Sequence, residues 1–212
     1  MFYDIIKRAL DIFSSIILII IFLPVIILSI IAIKLDSRGP FFADTPKRVG
    51  RYGKLFRMYK FRSMVQNAHS MLTNSPENSR LYEEYKKSGY KLRNDPRITK
   101  VGRTIRKYSL DEIPQFINVL KGEMSLVGPR AYYADELRDQ QKKYPYTKEA
   151  VKIVLSAKPG ITGIWQVSGR SEINFDKRIQ LDANYASKRS VFFDLYIILK
   201  TPLAMLSGKG AM

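Results

Sequence analysis

Cysteine is absent from the 212 residues of this chain, and histidine occurs once, as His69. The first absence excludes disulfides and any Cys-ligated zinc site; the second excludes metal centres built on two histidines. Acids are scarce too. Nineteen Asp and Glu stand against 36 Lys and Arg, a formal charge of +17, so the favoured partners are anionic. Nucleic acid, an acidic membrane surface and phosphorylated substrates all meet that description. No repeat or low-complexity tract is visible, and 46% hydrophobic residues with 13 Tyr and 11 Phe exclude wholesale disorder. The length suits one sizeable domain with a small appendage.

What the chain does have is a long apolar run near its start. No charge occurs between Asp11 and Lys34, a gap of 22 residues rich in Ile and Leu, which meets the length of a membrane helix. The run is too long for a cleaved signal peptide, and no small-x-small site follows it. A plain single-span anchor is one reading. The other is a helix that enters the bilayer, bends and returns: Pro24 lies near its middle, and Ser14, Ser15 and Ser29 can re-satisfy freed backbone groups. Lys7 and Arg8 before the run, and Lys34 and Arg38 after it, draw both ends to the cytoplasmic side. The expected organisation is a re-entrant membrane helix over residues 1–38 and a cytoplasmic catalytic domain over 39–212.

From Lys34 to Arg62 nine Lys/Arg face only Asp36 and Asp44, a net +7. After a membrane segment such a tract reads as contact with anionic headgroups. Phe41, Phe42, Tyr52, Phe56, Tyr59 and Phe61 interleave with the cations, which suits a membrane interface or single-stranded nucleic acid. Residues 64–92 read as a helical surface insertion around a Ser-Pro break, and Asp95-Pro96 as a turn. Ile113, Phe116, Ile117 and Leu120 have helical spacing over 111–121, with Gly122 placed to stop the helix. Residues 131–156 read as helix, Pro159-Gly160 and Thr162-Gly163 as a tight turn, and 172–187 as another helix. The apolar tail from Val191, interrupted by Asp194, Lys200 and Pro202, reads as lying on a membrane surface. The expected fold class is α+β, mostly helical and membrane-associated, with surface amphipathic helices.

The acid pair Asp111-Glu112 has two readings. Ser109-x-x-Glu112 is a capping-box pattern, and acids in a first helical turn complement the helix dipole. Alternatively, an ionised aspartate beside cations attacks phosphorus to give an acyl phosphate, with magnesium and arginines offsetting the charge of a diphosphate.

Four blocks decide the comparison: "YKFRSM" (59–64), "DPRITKVGRTIRKYSLDEIPQFINVLKGEMSLVGPR" (95–130), "KPGITGIWQVSGR" (158–170) and "LDANY…DLYIILKT" (181–201). Together they resemble the bacterial sugar transferase family, the monotopic phosphoglycosyl transferases, over nearly the whole chain. The resemblance implies transfer of a sugar 1-phosphate from a UDP-sugar to polyprenyl (undecaprenyl) phosphate at the cytoplasmic face of the bacterial inner membrane, releasing UMP. It makes Asp111 the nucleophile and Glu112 its acidic partner, the two serving Mg2+ or deprotonation of the lipid phosphate. Lys60, Arg62, Arg103, Arg106 and Arg130 become phosphate holders. Gln115 and Asn118 are supporting or capping groups, and Gly160, Thr162, Gly163 and Gln166 mark a turn that approaches nucleotide or sugar. Trp165 reads as a stacking surface or a core residue.

Three departures stand out. Ala131 replaces the family's Pro after Gly-Pro-Arg, which implies a less rigid loop. Leu23-Pro24 replaces Ser-Pro at the membrane kink, and Lys188-Arg189-Ser190 replaces Asn-Trp-Ser. Trp165 and the 64–92 insertion resemble members that move hexose 1-phosphates, galactose or glucose, with N-acetylhexosamine the alternative donor. Partners are then a UDP-sugar, the lipid phosphate and the anionic membrane surface, without nucleic acid; a homo-oligomer is left open. A membrane-tethered nucleic-acid binder or a lipid-binding scaffold would explain the charge, but neither requires the acid pair.

Overall fold

Helix α1 (Phe2–Asp36) opens the chain and runs unbroken through Pro24. Ile and Leu dominate it, and most of its apolar side chains face outward: Ile5, Phe13, Ile20, Ile21 and Leu28 are exposed. In the computed structural model, residues 2–68, 70–71, 79–87, 92, 95–169 and 173–206 are described. They form a mostly helical α+β fold that divides into two compact units, and the division falls inside α1 between Phe22 and Leu23, beside Pro24.

The first unit draws on Met1–Phe22, Pro46–Met58 and Pro114–Ala211. Its strands are short: β1 (Arg48–Val49) pairs antiparallel with β2 (Leu55–Phe56), and β3 (Ser125–Val127) pairs parallel with β4 (Gly160–Thr162). Around them lie α4 (Gln115–Lys121), α5 (Ala134–Lys143), α6 (Lys148–Leu155), α7 (Ile164–Ser168), α8 (Phe175–Lys188) and α9 (Val191–Leu206). The main core gathers Val49, Tyr132, Leu137, Val151, Val154 and Ile179, joining α6 to α8 through apolar burial. Four polar residues of α1 fasten its first turns to this unit. Lys7 and Tyr3 donate to Asp194 on α9, Arg8 donates to the carbonyls of Val119 and Leu120 at the end of α4, and Asp11 accepts from Ser125 and Leu126. Lys7 and Arg8 are therefore intramolecular fasteners, and their value as topology-setting flank charges falls accordingly.

The second unit holds Leu23–Thr45 and Tyr59–Ile113. It contains α2 (Ser79–Lys87), α3 (Lys100–Lys107) and a 3-10 turn, Leu110–Glu112. Thr99 caps α3, accepting from Gly102 N. Phe61 is buried and stacks on Phe42, which also meets Tyr59. Phe56 of the first unit is buried likewise. Of the aromatics interleaved with the basic tract, Phe56 and Phe61 thus belong to cores, Phe41, Phe42 and Tyr59 are half-buried, and Tyr52 is exposed. In the basic tract, Arg48 is buried over the Tyr133 ring, Arg51 donates to Ser156 O, and Arg62 is buried too. Lys34, Arg38, Lys47, Lys54 and Arg57 are the exposed cations of the tract.

The loops and shorter helices meet some sequence expectations and correct others. Asp95-Pro96 does form a turn, held by bidentate pairing of Arg97 with Asp95 at 2.8 and 2.6 Å. The single helix expected over 131–156 is split, because Pro145 pushes Tyr144 out of the α region (φ −126°, ψ 70°) and a 3-10 turn precedes α6. The turn expected at 159–163 contains strand β4. A Cβ on Gly160 would collide with the Gly128 backbone, so glycine is there for close strand approach. Helix α2 lies within the 64–92 insertion; its Ser75-Pro76 break lies outside the described residues. Helix α8 begins at Phe175, while the first expected residue, Glu172, is also outside them.

Candidate active site

Pro114 shapes the chain around the acids. It has no N–H for the Leu110 carbonyl, and Ile113 N takes that carbonyl at 3.2 Å instead. The bond tightens to the i→i+3 pattern, so Asp111 and Glu112 sit in a separate 3-10 turn and α4 starts only at Gln115. Gly122 ends α4 in the left-handed region (φ 79°), as expected. Ser109 does not cap. Its side chain makes no capping hydrogen bond, and its backbone is itself left-handed (φ 54°, ψ 25°). That conformation is uncommon outside glycine and accumulates at functional sites. The capping-box reading of the acid pair fails on this geometry.

Lys60 Nζ donates to Glu112 Oε1 at 2.7 Å and to Asp111 Oδ2 at 3.4 Å, and Phe61 N donates to Asp111 O at 3.0 Å. Asp111 is 8% exposed, whereas the Glu112 side chain is 39% exposed. Burial pushes the Asp111 carboxyl above its ordinary range; Lys60 draws it back, Glu112 pushes it up and Arg106 draws it down. Two neighbouring carboxylates bridged by one ammonium form an oxygen donor set that suits a hard divalent ion. Such ions are commonly held by one or two carboxylates together with substrate phosphates.

The other predicted cations divide. Arg106, on α3, contributes its field to Asp111; Arg103 is exposed on the same helix. Arg62 turns to the end of α1, donating to the carbonyls of Arg38 at 2.6 Å and Ser37 at 2.7 Å. It fastens a helix C-terminus, where cations are favoured.

In the first unit, Arg130 N donates to Asp182 Oδ2, and its guanidinium lies 5.1 Å from the centre of the Trp165 ring. Ala131 does not loosen this loop. Its carbonyl accepts from Arg48, the next carbonyl accepts from Val49 N, and its methyl is buried among Phe56, Met58, Val119 and Met124. Asn118 donates to Arg57 O and Glu123, and Gln115 is buried at the start of α4. Gly160 and Gly163 bring the backbone of β4 and the turn after it against Gly128. Thr162 shares a hydrogen bond with Thr201, and Gln166 Nε2 donates to Ile161 O.

Sequence reasoning missed two residues here. Arg178 lies 5.6 Å from the Trp165 ring centre, and Asp182 is fully buried, its carboxyl pushed up to about 7 by that burial. Their i,i+4 spacing on α8, which puts them on one helix face, was the available signal.

A family profile described as "Bacterial sugar transferase" matches residues 2–208. The chain is 44% identical over 205 residues to an undecaprenyl-phosphate galactose phosphotransferase of Salmonella typhimurium, covering 97% of this chain and 41% of that protein. It is 37% identical over 206 residues to the exopolysaccharide production protein ExoY of Rhizobium meliloti, covering 97% and 87% respectively. It is 36% identical over 212 residues to a UDP-N-acetylgalactosamine-undecaprenyl-phosphate N-acetylgalactosaminephosphotransferase of Aeromonas hydrophila, covering 99% and 45%. The chain thus spans less than half the length of the first and third of these relatives.

Proposed function

The chain belongs to the bacterial sugar transferase family, and we propose that it transfers a sugar 1-phosphate from a UDP-sugar to polyprenyl phosphate, releasing UMP. The observation that carries this reading is the buried Asp111 bridged by Lys60 to Glu112 beside a strained Ser109. A carboxylate so placed has nucleophilic chemistry to offer and no capping duty. Asp111 Oδ attacks the β-phosphorus of the donor, the bond from that phosphorus to the bridging oxygen breaks, and UMP leaves with the electron pair. An oxygen of the lipid phosphate then attacks the same phosphorus and Asp111 departs as carboxylate, with Glu112 taking the acceptor's proton. Lys60 and Arg106 hold phosphate oxygens beside Asp111, with Arg103 as an exposed contributor and Arg62 keeping the chain between α1 and Lys60 in place. Arg130, in the first unit, is a further phosphate holder in this reading. Asp111 and Glu112 are the residues that would hold a divalent metal, Mg2+ in this reading; when bound, it neutralises diphosphate charge.

The Salmonella and Aeromonas names support a hexose or N-acetylhexosamine donor; we favour UDP-galactose or UDP-glucose. UMP release should be measured across a panel of UDP-sugars with undecaprenyl phosphate. One donor should exceed the others at least tenfold, and no release with any of them would overturn the reading.

The reaction then takes place at the cytoplasmic face of the inner membrane, with α1 entering and leaving by that face. Early residues of α1 bond to the first unit, while Ile33, Ser37 and Arg38 accept from Arg62 and Asp36 accepts from Val101 in the second. Pro24 near the middle of the apolar run and the cations Lys34 and Arg38 after it support a common side for both ends of α1. At about 1.5 Å per residue, 35 residues extend roughly 50 Å, well beyond a hydrocarbon core of about 30 Å. Cysteines placed singly at positions 2 and 40 should both stay unlabelled by an impermeant thiol reagent in intact spheroplasts and both react after lysis. Labelling of only one before lysis would establish a span.

A further inference from the structure

Three cations gather at the first turns of α1 without an acid to pair them. An open cleft of about 630 Å³ runs along these turns, lined by Asp4, Ile5, Arg8, Ala9 and Ile12 of the helix and by Arg51. Backbone carbonyls hold the two arginines: Arg8 donates to Val119 and Leu120, and Arg51 to Ser156. Carbonyl dipoles fix a guanidinium in place but leave its charge uncancelled. Lys158 joins the pair from the chain before β4, because a Cβ on Gly122 would stand 3.6 Å from both Arg8 Nη2 and Lys158 Nζ. The half-buried Lys158 has no hydrogen-bond or ion-pair partner among the described residues, and neither arginine is ion-paired among them. The neighbouring acids are engaged already. Asp11 is buried and accepts from Ser125 and Leu126, while Asp4 faces Arg189 at 3.9 Å. Burial and the field of Arg8 hold the Lys158 pKa down, Asp11 offsets part of this, and Arg51 lowers it again. All of these residues belong to the first unit.

An apolar track leads away from the cations. Ile5, Ala9, Ile12, Ile16 and Ile20 recur at helical spacing on one side of α1, and all but the half-buried Ile12 are exposed. From Arg8 to Ile20 the helix rises about 18 Å, a little more than half of a hydrocarbon core of roughly 30 Å. We propose that Arg8, Arg51 and Lys158 hold the headgroup phosphate of an anionic phospholipid, whose acyl chain lies along this track. A soluble anion would meet the cations and leave the track bare. Three unpaired cations also match a headgroup of net negative charge better than a zwitterionic one. The exposed Tyr52, its ring centre 4.7 Å from the Arg51 guanidinium, suits the same headgroup level. This site rests on α1 lying in the bilayer and is independent of the reaction proposed above.

The test uses the full chain in dodecyl maltoside, with phosphatidylglycerol as the probe, read by native mass spectrometry and thermal unfolding. Wild type should retain phosphatidylglycerol in preference to phosphatidylcholine and unfold at a higher temperature with it. Lys158→Met should weaken that binding roughly tenfold, the scale of one charge-assisted contact, and lose most of the thermal shift. Without lipid the variant should unfold no lower than wild type, because the ammonium it loses is repelled by two guanidiniums. A merely structural lysine would lower that temperature instead. KM values for the UDP-sugar and for polyprenyl phosphate should stay close to those of wild type. Should Lys158→Met fail to fold, the wild type still decides, since equal retention of the two phospholipids overturns the site. Inorganic phosphate that reproduces the thermal shift would assign the cations to a soluble anion. A loss in Lys158→Met confined to polyprenyl phosphate would assign them to the acceptor, and either result overturns the phospholipid.

Discussion

Asp111→Asn should abolish lipid-independent exchange of labelled UMP into the UDP-sugar, together with overall turnover. Asparagine keeps the shape of the buried side chain, and Lys60 retains its 2.7 Å partner in Glu112, so the fold should survive. What disappears is the charge that the proposed mechanism assigns to the attack. For a residue that forms the covalent intermediate, the expected loss is roughly four orders of magnitude or more. Wild-type enzyme without lipid acceptor should release at most one UMP per site and gain one sugar phosphate on the peptide containing Asp111. Glu112→Gln should still acquire the adduct but discharge it slowly to polyprenyl phosphate. The pH dependence has a defined sign. The carboxylate is the reactive form and burial raises its pKa, so exchange should decline with falling pH at values above those of an ordinary aspartate. Lys60→Met removes the strongest influence drawing that pKa down and should move the decline to still higher pH. Exchange that persisted in Asp111→Asn would remove Asp111 from the mechanism.

What could be read from the chain beforehand was whatever depends on neighbours in sequence. The apolar run of α1, the Asp95-Pro96 turn and the Gly122 stop are local patterns, and each appears in the structure. The acid pair was legible as a pair; its separation from α4 was not foreseen, although Pro114 carries the reason. Strand β4 was missed because its pairing joins Gly160 to Ser125 across 35 positions, and a three-residue strand leaves no alternation to detect. The basic tract misled for a similar reason. Arg48, Arg51 and Arg62 look like surface charge until the carbonyls that receive them are located. Lys7 and Arg8 read as flank charges in the sequence because Asp194 and the end of α4 lie more than a hundred residues away.

That long-range fastening makes Asp194→Ala the substitution with the largest expected effect on stability. Asp194 is 8% exposed. It accepts from Tyr185 OH at 2.6 Å, Lys7 Nζ at 2.6 Å and Tyr3 OH at 3.1 Å. Burial, then the charge of Asp194, pushes the Tyr185 hydroxyl well above its ordinary pKa, so it remains a proton donor at every working pH. Alanine would leave the Lys7 ammonium, only 16% exposed, without its carboxylate. Tyr185 OH would keep Val127 O, at 3.0 Å, and the Tyr3 hydroxyl beside it. Breaking one side of a buried pair costs about 3–5 kcal/mol, which for a chain of this size lowers the thermal midpoint by roughly 10 °C. The cost arises from the stranded charge more than from the lost attraction. Lys7→Met combined with Asp194→Leu, which removes both charges and keeps apolar volume, should therefore recover much of the loss despite breaking the same contact. Thermal unfolding of the three variants in one detergent separates the two causes. A double variant as unstable as Asp194→Ala would mean that the hydrogen bonds from Tyr3 and Tyr185, and not the stranded ammonium, fasten α1 to α9.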